Sequence, residues 1–258
     1  MTAPAATGQN ADSPGARIEL SRDVDGLVAE RWPFFVGRLR TQGGIPMSAL
    51  ATAEGVESHL GAFARQYPAQ DARGVASLWG QWYAVTVWPP LVTAILLCEA
   101  APELRAAHTA LVLDDEAKPA GLALPAFATT GDPGHSLERL ARLHTAPLMD
   151  AVAGAAGMAQ RVLWSNVANV FGWFLDELEA VAAPHVLEPG RRLLTRGCWP
   201  DGTRNPLHIP GARPEPPRPE RRVCCLRYRL DGFGYCGDCP ITRHQCGGVD
   251  QAEATTPS

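Results

Sequence analysis

The sequence predicts a mainly α protein, α+β only by virtue of one small β-hairpin, in which a helical domain precedes a loop-rich C-terminal cysteine segment. Three observations carry this. Apolar residues recur at helical spacing through most of residues 18–205. One pair of short apolar runs, within 109–126, brackets a polar turn. Six prolines between 206 and 219 then separate the helical part from four cysteines packed into the sixteen residues 224–239. The expected organisation is a tail over 1–17, a helical domain over 18–205, a Pro-rich connector over 206–220, a cysteine segment over 221–246 and a second tail over 247–258.

Residues 1–17 are rich in Ala, Gly, Pro, Ser and Asn with no apolar segment, which reads as a disordered tail without a signal peptide. Ser21, followed by Asp23 and Asp25, predicts a helix start; Leu27, Val28, Trp32 and Phe35 follow at helical spacing, and Pro33 should break the helix. Val56, Leu60, Phe63 and Tyr67 predict a helix over 52–67. Val75, Leu78, Trp79, Trp82 and Tyr83 predict another over 71–87, and a separate helix is expected to begin after Pro89-Pro90 and run to about 100. Trp79, Trp82 and Trp88 read as helix packing rather than a stacking platform.

The runs 109–113 and 122–126 flank the turn 114–121 and predict the hairpin; Asp114, Asp115 and Glu116 read as its solvated tip rather than a metal site. Helix should resume near Ser136 through Leu137, Leu140 and Leu143, with a new start at Pro147. The strongest helical stripe runs over 159–181: Trp164, Val167, Ala168, Phe171, Phe174, Leu175 and Leu178. Asn166 and Asn169 share one of its faces, where they read as caps or cross-links of neighbouring backbone ahead of the alternative, hydrogen bonds to a ligand. A last helix is expected over 185–196.

The bulk numbers exclude several classes. The 258 residues are 46% hydrophobic and 19% charged, with a net charge of −4, so there is no basic footprint for nucleic acid. The most apolar run, 84–98, is interrupted by two prolines and falls short of the roughly 20 residues of a membrane span. Seven cysteines without a secretion signal favour a reducing, cytoplasmic setting, where clustered thiols mean metal or redox chemistry. Neither a Ser-His-Asp arrangement nor a catalytic carboxylate pair stands out.

Four cysteines follow the pattern C-C-x10-C-x2-C: Cys224, Cys225, Cys236 and Cys239. A structural zinc site ordinarily uses two C-x2-C knuckles, and here only Cys236–Cys239 is one. An iron–sulfur cluster spreads its thiolates over two or more irons and accepts less regular spacing. A redox disulfide between Cys236 and Cys239 would leave the vicinal pair unexplained. The surroundings favour a redox centre. Gly232, Gly234 and Gly237 permit close backbone approach to sulfur. Six arginines against three acids over 213–231 favour an anionic, reducible group. Arg222, Arg227 and Arg229 are candidates to steer an anionic chelate or donor. Residues 232–237 literally match G-x-G-x-x-G, but no long strand precedes them, so a dinucleotide site is rejected. Cys246 and His244 lie outside the motif.

The stretch RVCCLRY (Arg222–Tyr228), the ten-residue spacing and CGDCP (Cys236–Pro240) resemble the C-terminal signature of the ferric-siderophore reductase family of the FhuF type. LWSNVAN (Leu163–Asn169) and NPL (Asn205–Leu207) resemble that family more weakly. The resemblance implies that Cys224, Cys225, Cys236 and Cys239 bind a [2Fe-2S] cluster and that no catalytic residue beyond these ligands is needed. It further implies a cytoplasmic enzyme that reduces Fe(III) in a siderophore, expected to be of hydroxamate type. One electron suffices, because ferrous iron is held far more weakly by hard oxygen ligands. The electron would come from a ferredoxin-like protein or a small reductant, since no nicotinamide or flavin signature is present. The rival readings are an iron–sulfur carrier or sensor that turns over no siderophore, and a structural zinc-knuckle binding protein.

Overall fold

The computed structural model describes residues 14–68, 70–124, 127–129, 132–210 and 221–245. It is mainly helical with a small sheet, as the apolar periodicity predicts. Helix α1 (Pro14–Ala29) starts seven residues before Ser21 and stops ahead of Pro33. Trp32 and Phe35 then pack against Phe174 with ring centroids 5.3 and 5.5 Å apart. After the short α2 (Met47–Leu50), α3 (Ala53–Ala64) is capped by Thr52, whose hydroxyl accepts from Gly55 N at 3.0 Å.

The centre of the molecule is α4 (Ala72–Leu96), capped by Asp71. Here the expectation of a break at Pro89-Pro90 fails, because the helix runs through both prolines. Proline in a helix interior costs about 3 kcal/mol. This segment, however, is apolar on every side. Trp88, Leu91, Val92 and Ile95 are all fully buried, each contributing on the order of 1.5–3 kcal/mol. Only continuation of the helix buries them together. Trp79 and Trp88 are core residues, whereas Trp82 is exposed beneath the Lys118 ammonium.

The hairpin forms from β4 (Ala110–Leu113) and β5 (Pro119–Ala123), with Leu111 opposite Leu122. Its turn is closed by Asp114, which accepts from the amides of Glu116 and Lys118, so the acidic tip is a turn and not a metal site. Four strands of two or three residues went unforeseen. β1 (Leu39–Arg40) and β2 (Ile45–Pro46) flank the hairpin to complete the order β1-β5-β4-β2, while β3 (Ala100–Pro102) pairs with β6 (Phe127–Thr129). Segments this short carry no readable alternation.

Helix α5 (Pro133–Arg139) passes through a π-helical turn over Leu140–Thr145 into α6 (Ala146–Ala155), which carries Pro147 in its first turn as expected, though the helical backbone is not interrupted before it. Widening to an i→i−5 bond, Ala146 N to Ala141 O, accommodates the proline ring without ending the helix. Helix α7 (Gln160–Leu178) packs along α4, and Gly80 admits it closely: a Cβ there would meet Leu163 Cδ2 at 2.8 Å. Helix α8 (Pro184–Thr195) follows. Buried Asn205 donates to the carbonyls of Leu193 and Arg196 at 2.7 and 2.8 Å and so folds residues 205–209 back along α8. Residues 211–220, most of the Pro-rich connector, and Cys246 lie outside the described residues.

Candidate metal centre

The cysteine segment docks on one stripe of α4. Positions 71, 74 and 77 lie three apart, on a single helix face. Arg229 Nη1 pairs with the Asp71 carboxylate at 2.6 Å. Leu230 is buried over Gly74, where a Cβ would meet Leu230 Cδ2 at 3.1 Å. Ser77 Oγ donates to Cys225 O at 2.6 Å. Just before the helix, Gln70 accepts from Asp231 N and donates to the Asp231 carboxylate. Asn166 on α7 completes the clasp: its amide donates to Ser77 Oγ at 2.9 Å and to Ser77 O at 3.2 Å, and its carbonyl accepts from Arg221. The backbone cross-linking expected of Asn166 is thus borne out. None of the residues 70, 71, 74 and 77 was identified from the sequence, although their spacing, with a cap, a glycine and a serine on one face of an apolar helix, was visible there.

Between these anchors the chain turns sharply around its thiols. Leu226, directly after the vicinal pair, adopts φ 61°, and Gly232 and Gly234 take φ of 81° and 56°. A leucine in this left-handed region costs about 1 kcal/mol or more. In return the Leu226 amide points at Cys224 Sγ, 3.3 Å away. This turn lets two neighbouring cysteines serve one centre, which an extended strand would not allow. Cys239 sits at the start of α9 (Pro240–Gln245), where the amides of Ile241 and Thr242 bond its sulfur.

All four thiols of the motif come together and none is in a disulfide. Cys225 Sγ and Cys236 Sγ lie 3.7 Å apart. Metal–sulfur bonds of about 2.3 Å place two thiolates on one tetrahedral metal roughly 3.8 Å apart, whereas a disulfide is about 2.05 Å. Cys239 also interacts with both Cys224 and Cys236. Among the described residues no group of three or more Cys, His, Asp and Glu side chains is arranged around a single ion; the sulfurs stand as neighbouring pairs. Cys225 and Cys239 are buried, Cys224 and Cys236 half-buried.

Burial, then the charge of Cys225, pushes the Cys236 thiol up to about 11. Burial likewise raises Cys224, against the pull of the Leu226 amide. Burial acts upward on Cys239 too, but the Ile241 and Thr242 amides and the adjoining thiols outweigh it, and this thiol ends below its ordinary value. Four thiolates therefore need cationic charge among them to coexist, and a thiolate-ligated iron cluster provides it. The donor set and its spacing fit such a cluster.

The arginines divide by role. Arg229 is held by Asp71, and Arg227 donates to Phe233 O at 3.1 Å while lying over that ring. Arg222 alone of the three expected to steer a partner is exposed and unengaged among the described residues. The remaining thiols are elsewhere: Cys98 is half-buried past the end of α4, and Cys198 is exposed in the bridge to Arg204. His244 lies on α9, but its side chain is outside the described residues.

A helical scaffold clasping four metal-competent thiols in a glycine-hinged loop defines a protein with a thiolate metal centre. Comparison with known proteins agrees. The family described as ferric iron reductase FhuF-like transporter matches residues 77–213, more than half of the chain, and the FhuF 2Fe-2S C-terminal domain matches residues 221–240. The ferric siderophore reductase of Escherichia coli (strain K12) is 27% identical over 177 residues, covering 67% of this chain and 67% of that protein. The chain belongs to the FhuF-like ferric iron reductase family. It is an iron–sulfur oxidoreductase whose cofactor is a [2Fe-2S] cluster. No helix among the described residues is long and apolar enough to cross a membrane.

Proposed function

We propose that this chain reduces Fe(III) held in a siderophore of hydroxamate type by one electron, through a [2Fe-2S] cluster bound by Cys224, Cys225, Cys236 and Cys239, and that it releases Fe(II) in the cytoplasm. The observation that carries this is the convergence of these four thiols, with a 3.7 Å Cys225–Cys236 separation, on one loop. When bound, the cluster supplies a site that accepts and passes on single electrons.

The protein's own groups set the terms of that exchange. Amides from Leu226, Ile241 and Thr242 aimed at sulfur stabilise thiolate charge, and Arg221 acts on Cys236 in the same sense. Burial of Cys225 and Cys239 keeps water from half of the donor set. The chelated Fe(III) gains one electron, and an external donor, a ferredoxin-like protein or a small reductant, loses it. Ferrous iron then leaves because hard oxygen donors hold it weakly.

The test is spectroscopic and kinetic together. Anaerobically purified protein should be red-brown and give an EPR signal on dithionite reduction; Cys225→Ser and Cys236→Ser should abolish both, and Cys98→Ser and Cys198→Ser should retain both. The reduced protein should be reoxidised by a ferric hydroxamate while a ferrous trap captures iron in equal amount. Colourless, zinc-loaded protein refutes the ligand assignment. A reducible cluster that no ferric chelate reoxidises leaves an electron carrier instead of a reductase.

A further inference from the structure

A cleft of about 560 Å³ opens directly beside the cysteine loop, within the range of roughly 300–1,000 Å³ that takes small ligands. One wall is Val223, the residue before Cys224, so an occupant would rest within a residue or two of the thiols. The π-helical turn and α6 also contribute to the lining, and π turns cluster at functional sites. The start of α7, which has no side-chain cap at Ala159, forms part of the rim.

The lining is strongly one-sided in charge. Among the described residues, Arg142, Arg161, Arg204, Arg221 and Arg222 line the cleft against the single carboxylate of Asp150. Two of these arginines are committed: Arg142 to Glu138 and Asp201 at 2.9 and 2.6 Å, and Arg221 to Asn166 and to Val223 O. Arg161, Arg204 and Arg222 have no ion-pair partner among the described residues. Between the cations stand two buried indoles, Trp164 and Trp199, the latter under the Arg142 guanidinium at 5.9 Å. Guanidinium forks bind carboxylates in bidentate fashion, and indole faces receive planar ligand groups.

We propose that this cleft is the seat of the ferric chelate and that it selects chelates bearing free carboxylates, hence net negative charge, over neutral ones. This rests on the reductase reading of the thiol centre. Arg161, Arg204 and Arg222 bind the peripheral carboxylates, and the two indoles carry the body of the ligand. Val223 spaces its metal from Cys224. The cleft thereby adds a selectivity that the four cysteines do not supply.

Gallium(III) chelates separate binding from electron transfer, since gallium is not reduced. Calorimetric titration of the holoprotein would compare a neutral gallium tris-hydroxamate with its derivative carrying two free carboxylates. The dicarboxylate should bind about tenfold more tightly or better, equivalent to about 1.4 kcal/mol, and raised salt should erase the difference. Arg161→Glu with Arg204→Glu, both exposed positions away from the cysteine segment, should cost the dicarboxylate at least that factor and leave the neutral chelate unaffected. Equal binding of the two chelates, a preference indifferent to salt, or a double variant that binds like wild type overturns the proposal. Reoxidation of reduced protein by the corresponding ferric chelates is followed separately. Wild type that binds the gallium dicarboxylate with the stated preference, yet is not reoxidised by its iron form, refutes the reductase reading while supporting the anion-selective cleft.

Discussion

Asn166→Ala removes the side chain that joins α4, α7 and the cysteine loop. Asn166 is 1% exposed and makes two bonds to Ser77 and one to Arg221. Neutral hydrogen bonds contribute about 1 kcal/mol each, and bonds to charged groups about 1.5–3 kcal/mol. Arg221 is only half-buried and recovers part of its loss by hydration, so a total of about 2–4 kcal/mol is expected. That is a large share of the roughly 5–15 kcal/mol that stabilises a typical domain. Urea unfolding of the holoprotein, followed by tryptophan fluorescence and by cluster absorbance, measures it. The cluster signal should shift at least as far as the fluorescence, because Ser77 carries the Asn166 bonds onward to Cys225 O. A cycle with Ser77→Ala should show coupling of about 1 kcal/mol or more. A single variant within about 0.5 kcal/mol of wild type, or strict additivity in the cycle, would refute the clasp.

Three further outcomes follow from individual side chains. His144 is fully buried against Tyr83 and Thr109, and burial lowers its pKa from 6.5 to about 4. The unfolded chain takes up this proton below pH 6.5 while the folded one refuses it until about pH 4. Stability should therefore be complete above pH 6.5 and fall as pH drops through this window, by up to about 1.4 kcal/mol per unit. Wild type should lose about 2 kcal/mol more than His144→Leu between pH 6.5 and 5 in urea titrations; parallel losses would refute this. Asp71→Ala should cost about 1–2 kcal/mol through the lost cap and the lost tie to Arg229, and Asp71→Asn less because it can still cap, read as shifts in melting temperature. Gly190→Ala should destabilise by about 1–3 kcal/mol, since the new Cβ meets Leu175 at 2.8 Å and Phe171 at 3.2 Å. Gly61→Ala on open α3 surface should stabilise by about 0.5–1 kcal/mol.

Much of this molecule is legible locally. The stripe through Trp164, Phe171 and Leu178 announces α7, the apolar spacing over 52–67 and 71–87 announces α3 and the first part of α4, and the runs around 114–121 announce the hairpin. Local chemistry misled at Pro89-Pro90, because the intrinsic preference of proline is worth a few kcal/mol and the burial of a whole helix exceeds it. Strands β1, β2, β3 and β6 were unreadable for a different cause: two or three residues hold no period, and their pairing depends on what lies across the sheet.

The candidate site divides along the same line. Cys224, Cys225, Cys236 and Cys239 stand out in the sequence as one cluster, which the family resemblance marks as the expected ligands, and the chain places them near one another by itself. Tertiary structure decided the rest: the left-handed Leu226, the stripe 71, 74 and 77 that receives the loop, Asn166 as its clasp, and the arginine-lined cleft beside Val223. Those residues lie about 90 to 160 positions from one another in places, and no local periodicity connects them. They meet only because α4 and α7 bury their apolar faces together, which brings polar groups from distant parts of the chain into contact with the cysteine loop.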